Sequence, residues 1–280
     1  MKVFFSDTQK QRLKELEASP EERSAEFDDA AERNRAFQAI ETRLVKQERE
    51  RLEKFRDTVR RPRLATLENE LAQCLADAGF VQVTSPIIMS KRHLAKMGID
   101  DSHALASQVH WIGSSHCLRP MLAPHLYYVV RDLLRIWDKP VSLFEVGPCF
   151  RKETQGAAHL GEFTMLNLAE FGLPMEARDE RLQELAELVM TTVGVDDYAI
   201  VRETSDVYGE TIDIEAGPNR LEVGSCAMGP HPLDDPWGIV DTWVGLGFGL
   251  ERLLMAKGGH ESIGRVGRSL AYLGGFRLNI

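Results

Sequence analysis

The chain has 280 residues, 43% of them apolar and 28% charged, which is the balance of a globular protein of one large domain or two small ones. A wholly disordered chain is excluded, and so is a helical membrane protein: apolar runs such as Leu253–Ala256 fall far short of the roughly 18–20 residues a span needs. The net charge of −9 argues by itself against a nucleic-acid partner, although its distribution argues otherwise. The opening Met1-Lys2-Val3-Phe4-Phe5-Ser6-Asp7 turns polar too soon for a secretory signal. Cys74, Cys117, Cys149 and Cys226 form no CxxC pair, so neither a zinc knuckle nor a redox motif is expected, and a reduced cytoplasmic compartment is the simplest reading.

Every glycine lies at or after Gly79, so the front segment reads as helical. Ser6-Asp7-Thr8-Gln9 has capping-box spacing and predicts a short charged helix. Pro20 suits the first turn of a second helix. Phe27, Ala30, Ala31, Phe37, Ile40 and Leu44 give that helix one apolar stripe, and Arg61-Pro62 should end it. Between Arg43 and Arg63 lie nine basic and four acidic residues. That +5 stretch leaves −14 for the rest of the chain, an asymmetry that hints at a polyanionic partner. A solvated helix laced with i,i+4 ion pairs is the plainer alternative. Leu64, Leu67, Leu71, Cys74, Leu75 and Ala78 form a further stripe, stopped by Gly79.

Beyond Gly79 the period changes. Phe80–Thr84 alternates like a strand and runs into Ser85-Pro86. His110–Ile112 suggests a short strand, and Leu122–Trp137 a helix. Val141–Val146 and Glu162–Phe171 alternate again, and Ala177–Val193 is helical. Tyr198–Val201, Thr211–Ile214 and Arg220–Ala227 read as strands, and Leu246–Lys257 starts glycine-rich and ends helical. Strand follows strand, which predicts an α+β fold with a largely antiparallel sheet and helices packed on it.

Three segments carry chemistry. Phe150-Arg151-Lys152-Glu153 is followed by a polar loop and then Glu162-Phe163-Thr164-Met165-Leu166-Asn167. Leu221-Glu222-Val223-Gly224-Ser225 comes next, and Gly245-Leu246-Gly247-Phe248-Gly249-Leu250-Glu251-Arg252 last. With the helix, strand and Pro86 ahead of them, their order resembles the three signature motifs of class II aminoacyl-tRNA synthetases. Singly each is weak; an Arg-x-Glu is most often a surface ion pair. The ordered set is specific.

The resemblance narrows to the pyrrolysyl-tRNA synthetase family over Leu118–Pro124, Phe144–Glu153, Glu162–Asn167 and Gly245–Arg252, and runs from about Leu64 to the C-terminus. It implies a class II catalytic domain at 62–280, preceded by a helical tRNA-contacting segment at 1–61, in a short form without the family's extra N-terminal tRNA-binding domain. It implies ATP-dependent activation of pyrrolysine with Mg²⁺ and transfer to tRNA. Arg151 and Arg252 resemble the arginines that hold the α- and γ-phosphates, a role for which planar guanidinium groups are suited. Glu153 and Phe163 resemble the residues that read and stack on adenine. His159, Leu160 and Gly247 fall in the same ATP site. Glu222 and Ser225 resemble the hard oxygen ligands of Mg²⁺.

For the amino acid, the resemblance assigns Ala123, Leu126, Tyr127, Val130, Met165, Ala169, Ala227, Trp243 and Gly245 to the pocket. Asn167 resembles the asparagine that bonds the side-chain amide carbonyl of pyrrolysine, and Tyr208 the mobile tyrosine that caps its ring. Arg43, Lys46, Arg49, Lys54, Arg60 and Arg61 are the candidates for tRNA phosphates. A C2 homodimer through Leu64–Pro86 is implied, and a separate N-terminal tRNA-binding protein could act in trans. There are departures from the pattern. His125 replaces an Asn, and Val130, Ala169 and Ala227 replace larger residues, which should enlarge the pocket. The alternatives are a class II synthetase for another bulky amino acid and a non-catalytic tRNA-binding paralogue.

Overall fold

The computed structural model describes residues 2–152, 156–278 and 280. They form two compact units, Met1–Pro62 with Ser269–Ile280, and Arg63–Arg268. The boundary falls after Pro62, whereas the change of period in the sequence comes later, at Gly79. The C-terminal segment 269–280, read from sequence as part of the catalytic domain, clusters with the helical unit instead.

In the first unit, β1 (Val3–Phe4) pairs antiparallel with β2 (Glu26–Phe27). Helix α1 (Asp7–Glu15) starts at the Ser6 capping box, as expected. The single long helix expected from Pro20 is broken. α2 (Pro20–Arg23) is one turn, and α3 runs from Ala30 to Thr58. The Asp29 side chain accepts the Glu32 amide at 2.7 Å and restarts the helix. Phe27 lies between the two helices and packs on Phe5, ring centroids 4.8 Å apart. Burial of that aromatic pair, with Leu13 and Leu44, outweighs helical continuity. The hairpin Tyr272–Leu273/Phe276–Arg277 joins this unit because Phe276 packs edge-on to Phe55. The Arg277 amide donates to Glu48 at 2.9 Å. Glu48, one of the four acidic residues counted in the basic stretch, is 2% exposed and pairs with Arg51 at 3.0 Å.

The second unit opens with α4 (Arg63–Asp77), which buries Leu64, Leu67, Leu71 and Leu75, the stripe seen in the sequence. Gly79 follows at φ +89°, a conformation that favours glycine. β3 (Val81–Gln82) is shorter than the expected Phe80–Thr84, since only these residues pair with the next strand of the sheet. β4 (Ile88–Ser90), α5 (Lys91–Lys96), β5 (Trp111–Ile112) and β6 (His116–Leu118) form a small subdomain, its strands in one three-stranded sheet. Then come α6 (Ala123–Leu133), β7 (Val141–Phe150), β8 (Glu162–Phe171) and α7 (Arg178–Val193). β9 (Tyr198–Ser205), β10 (Gly209–Ala216), β11 (Leu221–Gly229), β12 (Trp243–Gly249) and α8 (Leu250–Gly258) complete it.

The main sheet runs β3-β7-β8-β12-β11-β10-β9. Only β3 and β7 pair in parallel; the other pairings are antiparallel. Side chains alternate across it. One face presents Leu166, Leu168, Leu246, Phe248 and Ile214 to the core that α4, α7 and α8 share. Gly224 belongs to this packing, because a Cβ there would lie 2.7 Å from the Phe248 ring. The opposite face carries Met165, Asn167, Ala169, Gly245, Gly247, Ser225 and Ala227, and a cavity opens there.

Candidate active site

Cross-strand register builds the cavity floor in rows. Ala227 opposes Gly245, which opposes Ala169. Ser225 opposes Gly247, which opposes Asn167. Gly249 opposes Met165. The first row is three of the smallest side chains, and the second holds two polar groups on either side of a glycine. The spaced glycines are therefore a central strand whose missing side chains hollow out about 550 Å³. That volume lies within the range of small-molecule sites.

One wall is α6, contributing Ala123, Leu126 and Tyr127; Trp243 and Tyr208 face it. Val130 does not reach the cavity. It is fully buried behind it, in the cluster that holds Leu126, Tyr127, Ala169 and Trp243. Asp234, which the sequence reading missed, braces this wall. It accepts the Tyr127 hydroxyl at 3.0 Å, the Trp243 indole N–H at 2.9 Å and the His231 amide at 2.7 Å. Burial, with Tyr208 and Asp234 adding to it, pushes the Tyr127 phenol far above its ordinary value, so it stays a neutral donor. Tyr208 sits in the turn between β9 and β10, and its carbonyl is 2.9 Å from the His231 ring. Asn167 donates one amide hydrogen to the Leu246 carbonyl at 3.3 Å. Asn167 lines the cavity, and its amide carries a second N–H besides the one given to Leu246.

At the other end of the same cavity lie Arg151, His159, Leu160, Phe163, Glu222 and Arg252. Arg151 donates to the Pro120 carbonyl at 3.0 Å and lies 5.3 Å from the Phe163 ring centroid, a cation–π distance. Arg252 binds the Glu222 carboxylate at 3.2 Å and its carbonyl at 3.1 Å, and reaches His159 at 3.3 Å. Two segments far apart in sequence thus place both arginines against one opening. Glu153 lies outside the described residues. Among the described residues no cluster of three or more His, Cys, Asp or Glu has metal-binding geometry.

Glu251, beside Arg252 in the glycine-rich motif, was within reach of the sequence reading. It is 1% exposed, and both its oxygens accept the Thr164 amide at 2.9 Å. Burial pushes its carboxyl up to about 6. A raised carboxylate favours the protonated fold, so this contribution is full below the ordinary 4.5 and is lost as pH rises through about 6. It amounts to about 2 kcal/mol. His125 runs the other way. Burial, with His93 and Arg119 adding to it, lowers it to about 4, so its contribution is full above 6.5 and is lost as pH falls toward 4. Thermal melts between pH 4 and 7 should therefore show Glu251→Gln losing relative stability in acid, and His125→Asn gaining it. Parallel curves for both variants and the parent would contradict this.

Of the candidate phosphate-binding residues on the first unit, Arg43, Lys46, Arg49 and Lys54 lie on α3, and all six are exposed. Arg43 pairs with Glu22, and Lys46 lies 3.9 Å from Glu50. Arg49 reaches the Ile280 carbonyl at 3.5 Å, and Arg60 donates to the Arg56 carbonyl at 3.1 Å. No helix among the described residues is long and apolar enough to cross a membrane.

An antiparallel sheet with this cavity on one face and helices on the other, with an arginine at the start of a hairpin and another on the helix after β12, is the catalytic fold of a class II aminoacyl-tRNA synthetase, a ligase. Comparison with known proteins agrees. The family model for the phenylalanyl tRNA synthetase beta chain CLM domain matches residues 50–224. The crystal structure of pyrrolysyl-tRNA synthetase from Desulfitobacterium hafniense superposes with a TM-score of 0.93 at 52% identity, covering 99% of each chain. A second structure from that organism, PylSc, a pyrrolysyl tRNA synthetase, gives 0.91 at 51%, covering 99% of this chain and 96% of that one. The histidine–tRNA ligase of Wolbachia pipientis subsp. Culex pipiens is 28% identical over 122 residues, 42% of this chain and 29% of that protein. These matches carry the names of three amino acids, and the two pyrrolysyl structures are matched at about half identity along the whole of this chain. The chain belongs to the pyrrolysyl-tRNA synthetase family.

Proposed function

We propose that the protein activates pyrrolysine with ATP and ligates it to its tRNA. One observation carries the reading: a single cavity joins an apolar trough containing one asparagine to an end lined by two arginines. The trough suits a long, largely apolar side chain with one amide carbonyl for Asn167. A buried polar group rejects ligands that leave it unpaired. At the far end the amino-acid carboxylate attacks the α-phosphate of ATP and pyrophosphate leaves. Arg151 stabilises the charge gathering on the α-phosphate. Arg252 and His159 hold the departing phosphates, and Phe163 stacks on adenine beside Leu160 and Gly247. Glu153 is proposed to read the adenine amino group. The second substrate, the tRNA, then takes the aminoacyl group on a terminal hydroxyl.

The donor set fits Mg²⁺: Glu222 is half exposed, the Ser225 hydroxyl stands on the cavity floor, and a carboxylate oxygen of Asp213 is buried there without a partner. These are hard oxygens, the ligands this ion takes. Bound there, Mg²⁺ would neutralise phosphate charge and orient the leaving pyrophosphate.

The first unit is proposed to contact tRNA through Arg43, Lys46, Arg49, Lys54, Arg60 and Arg61, with salt-sensitive affinity. A cytoplasmic C2 homodimer is proposed, supported by exposed Val81, Ile87 and Ile88 beside Pro86. A solution mass near 31.5 kDa at micromolar concentration would refute the dimer. A separate tRNA-binding protein acting in trans completes the proposal.

The test is amino-acid-dependent ATP–pyrophosphate exchange, with pyrrolysine beside the twenty standard amino acids. Exchange with pyrrolysine alone is expected. Exchange with a standard amino acid instead would keep the mechanism and discard the substrate, and none at all would favour a binding-only paralogue. The small row Ala169–Gly245–Ala227 should also admit bulky Nε-acyl lysines. Ala169→Phe overfills it, and about a 10- to 100-fold loss in kcat/KM for pyrrolysine is expected. Unchanged kcat/KM would place the side chain elsewhere.

A further inference from the structure

Strand β10 alternates like its neighbours. Ile212 and Ile214 pack into the core, which turns Thr211 and Asp213 to the cavity face. Asp213 lines the cavity and lies in register with Ser225, the next residue in the row Ser225–Gly247–Asn167. One oxygen of its carboxylate is buried with no hydrogen-bond partner. A buried carboxylate oxygen without a donor is costly and calls for one. Arg252, which lines the same cavity, is engaged by Glu222 and His159. The sequence alone did not single out Asp213.

We propose that Asp213 is a positioning residue of the Mg²⁺ site, accepting the Ser225 hydroxyl hydrogen so that a Ser225 lone pair is left for the cation. This rests on the reading of Glu222 and Ser225 as Mg²⁺ ligands. A hydroxyl has one hydrogen and two lone pairs. When it ligates a cation, its hydrogen must go elsewhere. Directly paired residues on antiparallel strands have Cβ atoms about 4.5–5.5 Å apart, within reach of a serine-to-carboxylate hydrogen bond. Outer groups of this kind commonly change metal affinity about 10- to 100-fold.

The experiment is titration calorimetry of a non-hydrolysable ATP analogue across a Mg²⁺ series. Asp213→Leu should raise the Mg²⁺ concentration for half-maximal affinity about tenfold. Asp213→Asn, whose amide oxygen still accepts a hydrogen, should recover most of the loss. Combined with Ser225→Ala, Asp213→Leu should add nothing further, because the residue acts through the serine. If the two substitutions multiply, or if Asp213→Leu leaves the Mg²⁺ dependence unchanged, the proposal is overturned. If Asp213→Leu fails to fold, the same cycle with Asp213→Ala, which also removes the acceptor, decides with the same criterion. Glu222→Gln separates the two levels: if it leaves the Mg²⁺ dependence intact, the metal reading itself falls, and this proposal with it.

Discussion

Replacing Arg151 by alanine is expected to reduce amino-acid-dependent pyrophosphate exchange by a hundredfold or more, with little change in melting temperature. The guanidinium is partly buried beside Phe163 and anchored by its Nε on the Pro120 carbonyl. So held, Arg151 lines the cavity. Charge on the α-phosphate grows in the transition state, so the interaction is stronger there than in the ground state. Loss of one preorganised donor of this kind costs about 3–4 kcal/mol of transition-state stabilisation. The loss should appear in kcat at saturating ATP. A rise in KM for ATP with kcat intact would mean that Arg151 only binds. Lysine should rescue poorly, because a point charge does not reproduce the planar fork.

Arg119→Ala should instead unfold the protein more easily and leave the chemistry of any surviving fold intact. Arg119 and Glu145 pair at 2.6 Å, with both side chains 2% exposed. Arg119 also donates to the Pro148 carbonyl at 2.8 Å and to the Ser85 hydroxyl at 3.0 Å. Glu145 accepts the Ser85 hydroxyl at 2.7 Å, and His125 sits 3.0 Å from that hydroxyl. Truncating the arginine leaves a carboxylate buried without its counter-charge. Such losses run at about 3–5 kcal/mol, against a total stability of about 5–15 kcal/mol. A fall in Tm of roughly 10 °C follows for a unit of this size. Arg119→Met with Glu145→Leu, which removes both charges, should recover much of it. A shift of under about 2 °C for Arg119→Ala would show that water reaches the pair.

This network also shows what patterns cannot reveal. Arg119 and Glu145 are 26 residues apart; each lies in a segment that carries the resemblance, but nothing local to either names the other as its partner. His125 stood out only as a departure; its place against Ser85 explains why a polar residue is kept there. Asp234 sits in a Pro-rich turn that carries no signal, yet it fixes Tyr127 and Trp243 together. Glu251 could have been found, being in the motif beside Arg252.

The alternation of β7 and β8, the stripe of α4 and the Ser6 cap were legible because each depends on a period or a spacing within one element. The two arginines were legible because their motifs are local. The break between α2 and α3 was not, since Phe27 leaves the helix to meet Phe5, which lies ahead of α1. The C-terminal hairpin likewise follows Phe55 and Glu48, far from it in sequence. Sequence alone therefore determined the element types, the charge asymmetry, the motif arginines and the family. Only the tertiary structure decided that Ala227, Gly245 and Ala169 form one floor, that Val130 stands behind it, and that Asp213 faces Ser225. Those facts depend on strand register, which long-range burial sets and no local period encodes.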